Sequence, residues 1–183
     1  MDPEITKGKF LIALPTLQDQ NFRQAIILLC EHGPDGSLGL VVNRPTNVEV
    51  STLIEDLPEL DAAGQVYAGG PVGKNGMLIL CRGDATFEDR AILEDVFLAH
   101  DIDVLKIPWL RGRAGEIRCY VGYAGWAAGQ LEAEVNAGAW RVLEGDSKLI
   151  FDANLAILWQ EMMLQIGGEC AIYASMPPDL SLN

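Results

Sequence analysis

Short runs of apolar residues, each bounded by glycine, proline or charged residues, recur along the chain. Continuous runs such as Ala25–Cys30 and Leu38–Val42 predict strands that are buried on both faces. Ile117–Tyr123 alternates between apolar and other positions, which also indicates a strand. The remaining predicted strands are Phe10–Leu14, Gln65–Ala68, Met77–Cys81, Val96–Ala99, Ala139–Leu143 and Ala171–Ala174.

Three segments have the pattern of helices. Ser51–Leu57 forms the first, with Ser51 as its N-cap. The second runs over about Ala127–Asn136 and ends at a glycine. The third, Ala153–Ile166, is capped by Asp152 and carries one apolar stripe. The residues of that stripe are Leu155, Leu158, Trp159, Met162 and Ile166.

The connections between these elements are rich in glycine and proline. Residues 31–37 are predicted to form the loop of a hairpin, and residues 69–76 a second hairpin-type loop. Gly122–Gly129 follows a strand and precedes a helix, so we predict a tight strand-to-helix corner there.

Strands occur in adjacent pairs more often than in strict alternation with helices. This order favours an α+β fold with a mixed, largely antiparallel sheet over a doubly wound parallel sheet. The 183 residues contain no repeat and no long linker, so we predict one domain over residues 1–183 with a tail from about residue 176.

The charge of the chain excludes some classes of function. It has 13 basic and 26 acidic residues, a net charge of −13, and nucleic-acid affinity depends mainly on cations that meet phosphates. Segment 84–103 is predominantly acidic and segment 106–118 predominantly basic. The basic segment is interpreted as a solvated loop or as an anion-binding loop.

The apolar runs are too short for a membrane span, which needs about 20 residues. The first run also stops at Pro15, too early for a secretory signal, so we expect a cytoplasmic protein. The four cysteines form no CxxC pair, which predicts reduced thiols and no metal site. We likewise predict no cofactor and no assigned catalytic residue.

Several blocks occur in a characteristic order along the chain: Leu11–Pro15, Asp19–Arg23, Leu29–His32, Gly39–Pro45, Val66–Val72, Gly122–Trp126, Gly129–Glu132, Trp140 and Phe151–Asp152. In these blocks the chain resembles the AlgH/YqgE family of small bacterial cytosolic proteins. The family often has proline where Gln20 stands, and segment 82–116 matches it only loosely.

The resemblance implies a single α+β domain with a curved mixed sheet and packed helices. It implies no established enzyme activity and no agreed catalytic residues. The family carries a transcriptional-regulator label, but this chain has neither a helix-turn-helix pattern nor a basic recognition helix.

Polar and aromatic residues within the matching blocks form a candidate cleft at the strand ends and the predicted corner. If the strand ends converge, these side chains line one cleft with an indole wall. The alternative, which we favour, is that Arg44 pairs with Glu132 or Glu31 and the group pins loops. The candidate residues are His32, Asn43, Arg44, Tyr123, Trp126, Gln130 and Glu132.

Two functions remain open on the sequence. The first is a non-enzymatic cytosolic regulatory or interaction protein, without direct DNA binding, whose partner is a protein or a small molecule. The second is a small-molecule or nucleotide binder, or a hydrolase, that uses a cleft near Gly122–Glu132. An enzyme should gather groups with perturbed pKa values in a pocket, whereas an interaction protein should expose an apolar patch.

Overall fold

The computed structural model describes residues 4–54, 64–83, 90–106 and 113–175. The end of the first predicted helix, the tail and parts of the acidic and basic segments lie outside these residues. The strands are β1 (Lys9–Ala13), β2 (Ile26–Gly33), β3 (Gly36–Val41), β4 (Pro45–Glu49), β5 (Gln65–Ala68), β6 (Val72–Arg82), β7 (Ala91–Leu93), β8 (Val96–Ala99), β9 (Ile117–Ala127) and β10 (Trp140–Glu144). The helices are α1 (Val50–Leu53), α2 (Gln130–Asn136), α3 (Ser147–Phe151), α4 (Leu158–Ile166) and α5 (Cys170–Tyr173).

The strands form one curled sheet in the order β10-β1-β2-β3-β9-β6-β8-β7, and β5 joins β4 to β9 beside this path. Strand β5 runs parallel to β9. The other pairings among the described residues are antiparallel. The predicted α+β fold with a mixed, largely antiparallel sheet is therefore confirmed.

Both faces of the sheet are covered, which explains the continuous apolar runs. Leu28 of β2 belongs to a cluster with Trp159 of α4 on one face. Its neighbour Leu29 belongs to a cluster with Leu131 of α2 on the other. A third cluster lies around Val50 of α1, under β6 and β8. Strands packed on both sides need no polar face, so they lack the alternation of a half-exposed strand.

The β2–β3 hairpin is tighter than the predicted loop at 31–37. Gly33 pairs with Gly36, which leaves a two-residue turn, and His32 pairs directly with Ser37. The prediction was wrong because the polar residues near the turn continue both strands. The shorter loop places the His32 and Ser37 side chains next to each other.

The predicted corner at Gly122–Gly129 is wrong in its position. Strand β9 continues to Ala127, and helix α2 begins only at Gln130. The turn lies at Gly129, which has a φ of 74°. Pairing of β9 with β3 at residues 124–127 holds this glycine-rich segment extended, and local composition does not reveal that pairing.

Gly122 is a bend within β9 rather than the start of a helix. Its φ is 75°, in the region that L-residues rarely adopt. Tyr120 and Tyr123 both pack on the face covered by α4 although they are three residues apart. In a regular strand, residues three apart face opposite sides of the sheet, so the bend at Gly122 shifts the alternation of side chains between the two faces by one residue.

Three features of the middle of the chain differ from prediction. Strand β6 begins at Val72 and occupies most of the predicted loop at 69–76. Strands β5 and β6 do not pair with each other as a hairpin; each pairs with a different edge of β9. Strand β4 begins at Pro45 and is not predicted from the sequence, because proline usually ends a strand; it is tolerated as a first strand residue. Helix α1 starts at Val50 after Glu49, so Ser51 is not its N-cap.

The C-terminal elements are shorter than expected. Helix α4 starts at Leu158, and Asp152 hydrogen-bonds to Arg82 instead of capping it. The segment before α4 that contains the apolar residues Leu149–Phe151 forms helix α3, whose N-cap is Asp146. The predicted strand Ala171–Ala174 is helix α5, because packing against α4 overrides a weak local preference for strand. The apolar stripe of α4 is confirmed as core.

Candidate functional site

The seven candidate residues lie in several places rather than in one shared cleft. His32 and Glu132 meet near the turn of the β2–β3 hairpin. Trp126 of β9 and Gln130 of α2 belong to one hydrogen-bond network. Asn43 and Arg44 hold the turn before β2. The half-buried Tyr123 packs on the α4 face.

Near the turn of the hairpin, the His32 side chain contacts both Ser37 and Glu132. His32 Nδ1 is 2.8 Å from Ser37 Oγ, and His32 Nε2 is 3.5 Å from Glu132 Oε1. A hydroxyl, an imidazole and a carboxylate in this order have the composition of a hydrolase relay. Sequence reasoning missed Ser37 because the predicted loop at 31–37 contains both residues and therefore sets no cross-strand pair between them.

Glu134, which was not among the candidates, organises the indole network. Its Oε2 accepts hydrogen bonds from Trp126 Nε1 at 2.9 Å and from Trp140 Nε1 at 2.8 Å. Its Oε1 accepts one from Gln130 Nε2 at 2.9 Å. Phe22 stacks on Trp126 with ring centroids 6.3 Å apart. Trp126 is therefore a buried core residue and not the wall of an open cleft.

Asn43 and Arg44 fix the backbone that leads into β2. Asn43 Oδ1 accepts from the Ile26 N–H, and its Nδ2 donates to the Gln24 carbonyl oxygen, both at 2.9 Å. Arg44 donates to the main-chain oxygens of Asn21 and Arg23. Gln24 has a φ of 53°, a costly conformation for a non-glycine residue. These contacts hold the turn in that conformation.

Arg44 also lines a pocket of about 410 Å³ between β4, β5 and the start of β6, which we call the Arg44 pocket. The β4–β5 pairing is irregular between Pro45 and Glu49, and Thr46 Oγ1 donates to the Val66 oxygen at 2.7 Å. This irregular part of the strand pair lines the pocket. Its described lining is Asn21, Arg44, Thr46, Val48, Leu53, Val66, Tyr67, Ala68, Gly70, Pro71, Lys74 and Val121.

The pocket is mainly apolar and carries positive charge. Arg44 and Lys74 are its two cations, and the described lining contains no acidic side chain. Acidic residues outnumber basic ones two to one in the chain, so this lining runs against the overall composition. Sequence reasoning missed the pocket because residues from distant segments form it.

Several groups with shifted pKa values lie outside the described lining of the Arg44 pocket. Burial raises the pKa of Cys81 and of Cys119 to about 12, and it raises the pKa of Cys30 and Tyr120 as well. Hydrogen bonds from the Arg82 guanidinium lower the pKa of the Asp152 carboxyl. The described lining of the Arg44 pocket includes none of these groups. The four cysteines are free thiols, as predicted.

The described ranges bear on metal binding and on membrane insertion. Those ranges hold no group of three His, Cys, Asp or Glu side chains placed to ligate a metal ion. None of the helices within them combines the length and the apolar character of a membrane span.

Comparisons with known proteins agree on one family. A family model described as AlgH-like matches residues 10–171. A UPF0301 protein of Streptomyces coelicolor is 39% identical, covering 96% of this chain and 94% of its own. A UPF0301 protein of Chlorobium luteolum is 34% identical, covering 98% and 95%.

Two solved structures share the fold. The crystal structure of a Corynebacterium diphtheriae protein has a TM-score of 0.82 at 20% identity, covering 96% of this chain and 95% of that one. The solution structure of the AlgH protein from Pseudomonas aeruginosa has a TM-score of 0.71 at 28% identity and covers 98% of both chains.

Proposed function

The chain belongs to the AlgH-like family, and from that premise we propose that it is a non-enzymatic regulatory or interaction protein that binds a small molecule in the Arg44 pocket. The composition of the pocket carries this proposal. Its walls are mainly apolar, and the described lining has two cations and contains neither the buried cysteines nor Tyr120 or Asp152, whose pKa values are shifted. Binding sites combine apolar walls with a few polar groups, whereas catalytic sites gather perturbed titratable groups.

The surface around the pocket supports a role in interaction. Val48 and Leu53 line the pocket and are 41% and 50% exposed. Val72, next to the lining residue Pro71, is 42% exposed. Apolar residues that remain exposed together are a feature of interaction sites. A ligand in the pocket would change the surface that a partner protein meets, which gives binding a regulatory output.

The proposal includes a cytoplasmic location and regulation without direct DNA contact. Free buried thiols such as Cys81 are typical of a reducing compartment. A net charge of −13 opposes association with DNA phosphates. A sequence-selective gel shift at micromolar protein or below would contradict the second statement and support a direct transcriptional regulator.

A hydrolase is the second candidate function, because the His32 side chain contacts both the Ser37 hydroxyl and the Glu132 carboxylate. Against it, none of the three belongs to the described lining of the Arg44 pocket. A fluorophosphonate probe separates the two functions. The non-enzymatic proposal expects no labelling, whereas labelling of Ser37 that is lost in Ser37→Ala and His32→Gln would establish a nucleophile and contradict it.

The binding proposal is tested on tagged protein purified from its own cells, with metabolites extracted from the eluate and identified by mass spectrometry. Val48→Glu places a carboxylate at the pocket without removing a buried group. Ile172→Glu is the matched control, because it makes the same change at a residue of α5 that is 71% exposed and outside the pocket lining.

We expect the unsubstituted protein and Ile172→Glu to retain the same small molecule and Val48→Glu to lose it. Retention of no molecule by any of the three, or equal retention by all three, would contradict the proposal. Thermal melts of both variants ensure that the comparison is made on folded protein.

A further inference from the structure

We propose that the Arg44 pocket takes an amphipathic anion, a molecule with an apolar body and one carboxylate or phosphate group. This inference rests on the binding function proposed above and names the chemical class of the ligand. It combines the apolar walls, the two cations and the acidic background of the chain.

The walls define the apolar part of the ligand. Small-molecule sites occupy roughly 300–1,000 Å³, and at about 410 Å³ the Arg44 pocket lies in the lower part of that range. An apolar ligand body gains free energy from the removal of its surface from water. The side chains that would contact it belong to Val48, Leu53, Val66, Tyr67, Ala68 and Val121.

The cations define the charged part. Lys74 is exposed and forms no ion pair with the described residues, so its ammonium group is available to an incoming anion. Arg44 donates to main-chain oxygens of Asn21 and Arg23 and lines the same pocket, where it is the second cation beside Lys74. A hydrogen bond between a cation and a carboxylate or phosphate is stronger than one between neutral groups.

The net negative charge of the protein makes the two cations of the pocket a local site for anions. With a net charge of −13, most of the surface repels anions. A local pair of cations without described acidic neighbours in the lining provides a place where an anion is attracted at short range. A cationic ligand would meet the opposite situation, attraction by the surface as a whole and repulsion at the pocket.

Three probes with the same apolar chain test the class: octanoate, octyl phosphate and 1-octanol, titrated into the full chain by calorimetry. We expect at least one of the anions to bind about 10-fold more tightly than the alcohol, the effect of one charge-assisted hydrogen bond. Equal affinity of the alcohol and both anions, or no binding of either anion, would overturn the inference.

Lys74→Glu locates the charge effect. It should weaken binding of the anions by about 10-fold or more and leave the alcohol within about 2-fold. Lys148→Glu is the control, because Lys148 is an exposed residue of α3 outside the pocket lining and the net charge changes equally. Equal weakening by both variants would assign the effect to net charge and contradict the pocket assignment.

The two proposals fail in distinguishable ways. If the protein from cells retains a molecule that Val48→Glu loses, while the alcohol binds as well as the anions, the ligand class is wrong and the binding function holds. If no molecule is retained and Val48→Glu leaves binding of all three probes unchanged, the binding function itself is wrong.

Discussion

Arg44 donates a hydrogen bond from its guanidinium to the main-chain oxygen of Arg23 at 2.8 Å. This contact joins the residue before β4 to the turn that enters β2. The same side chain lines the apolar pocket. From the sequence, Arg44 has either a structural or a binding role, and the geometry supplies a physical basis for both.

Replacement of Arg44 should therefore reduce stability even without a ligand. We expect Arg44→Ala to lower the free energy of unfolding by about 1–2 kcal/mol, because the Asn21 and Arg23 carbonyl oxygens lose a charged donor. Urea denaturation measures the change. The control is Lys74→Ala, an exposed residue of the same pocket, which should stay within about 0.5 kcal/mol. Equal stability of Arg44→Ala and the unsubstituted protein would refute the structural role.

Of two carboxylates on α2, that of Glu134 should contribute more to the free energy of unfolding than that of Glu132, which faces the hairpin. Glu134→Gln removes the charge from an oxygen that accepts two indole N–H groups, and we expect a loss of about 1–3 kcal/mol in the free energy of unfolding. Glu132→Gln is the same change at a half-exposed side chain, and it should lower the free energy of unfolding only slightly. Denaturation followed by tryptophan fluorescence compares them, and similar losses would show that Glu134 is not the organising residue.

Gly122 should tolerate a side chain much less than Gly125. A Cβ at Gly122 would overlap the Gly70 carbonyl oxygen, and its φ of 75° is costly for alanine. We expect Gly122→Ala to cost more than about 2 kcal/mol. A Cβ at Gly125 would lie 3.4 Å from the Tyr123 ring, an ordinary contact. A Gly125→Ala protein as unstable as Gly122→Ala would contradict the position of the bend.

The Arg82–Asp152 pair should make stability depend on acid pH. Hydrogen bonds of 2.6 and 2.9 Å lower the pKa of Asp152 from its ordinary value of 3.8. A carboxylate whose pKa is lowered by folding stabilises the protein above the unfolded value and loses that contribution as pH falls through the folded value.

We expect Asp152→Asn to be less stable than the unsubstituted protein at about pH 7 and the difference to shrink towards about pH 3. Urea denaturation at both pH values measures it. A difference that stays constant or grows in acid would mean that the ion pair does not provide this stability.

Strands that consist of continuous apolar runs could be predicted from the sequence without knowing which strands they pair with. Runs such as Ala25–Cys30 and Val96–Ala99 are apolar because both faces of the sheet are covered. The extension of β9 to Ala127 could not be predicted, because only its pairing with β3 holds a glycine-rich segment extended. Helix α5 was missed for a similar reason, since its contacts with α4 lie outside any local window.

Of the residues that line the pocket, the sequence singled out only Arg44, and it did not give the arrangement of the site. Arg44 and Trp126 stand out by type and position, yet their partners, the Arg23 oxygen and the Glu134 carboxylate, are set by packing. The Arg44 pocket depends on an irregular pairing between β4 and β5, and β4 itself was not predicted. Periodicity records which residues are buried, whereas a pocket depends on which segments meet.

The most direct test of the account is a pair of NMR titrations of ¹⁵N-labelled protein, one with octanoate and one with octyl phosphate. Binding of either anion in the Arg44 pocket should shift amide signals of lining residues such as Val48, Ala68 and Lys74 in a saturable way. The signals of His32 and Ser37 at the hairpin should stay unchanged. Shifts confined to the hairpin and to Gly122–Glu132, or no saturable shift in the pocket with either anion, would contradict the claim that this protein acts by binding a small anion there.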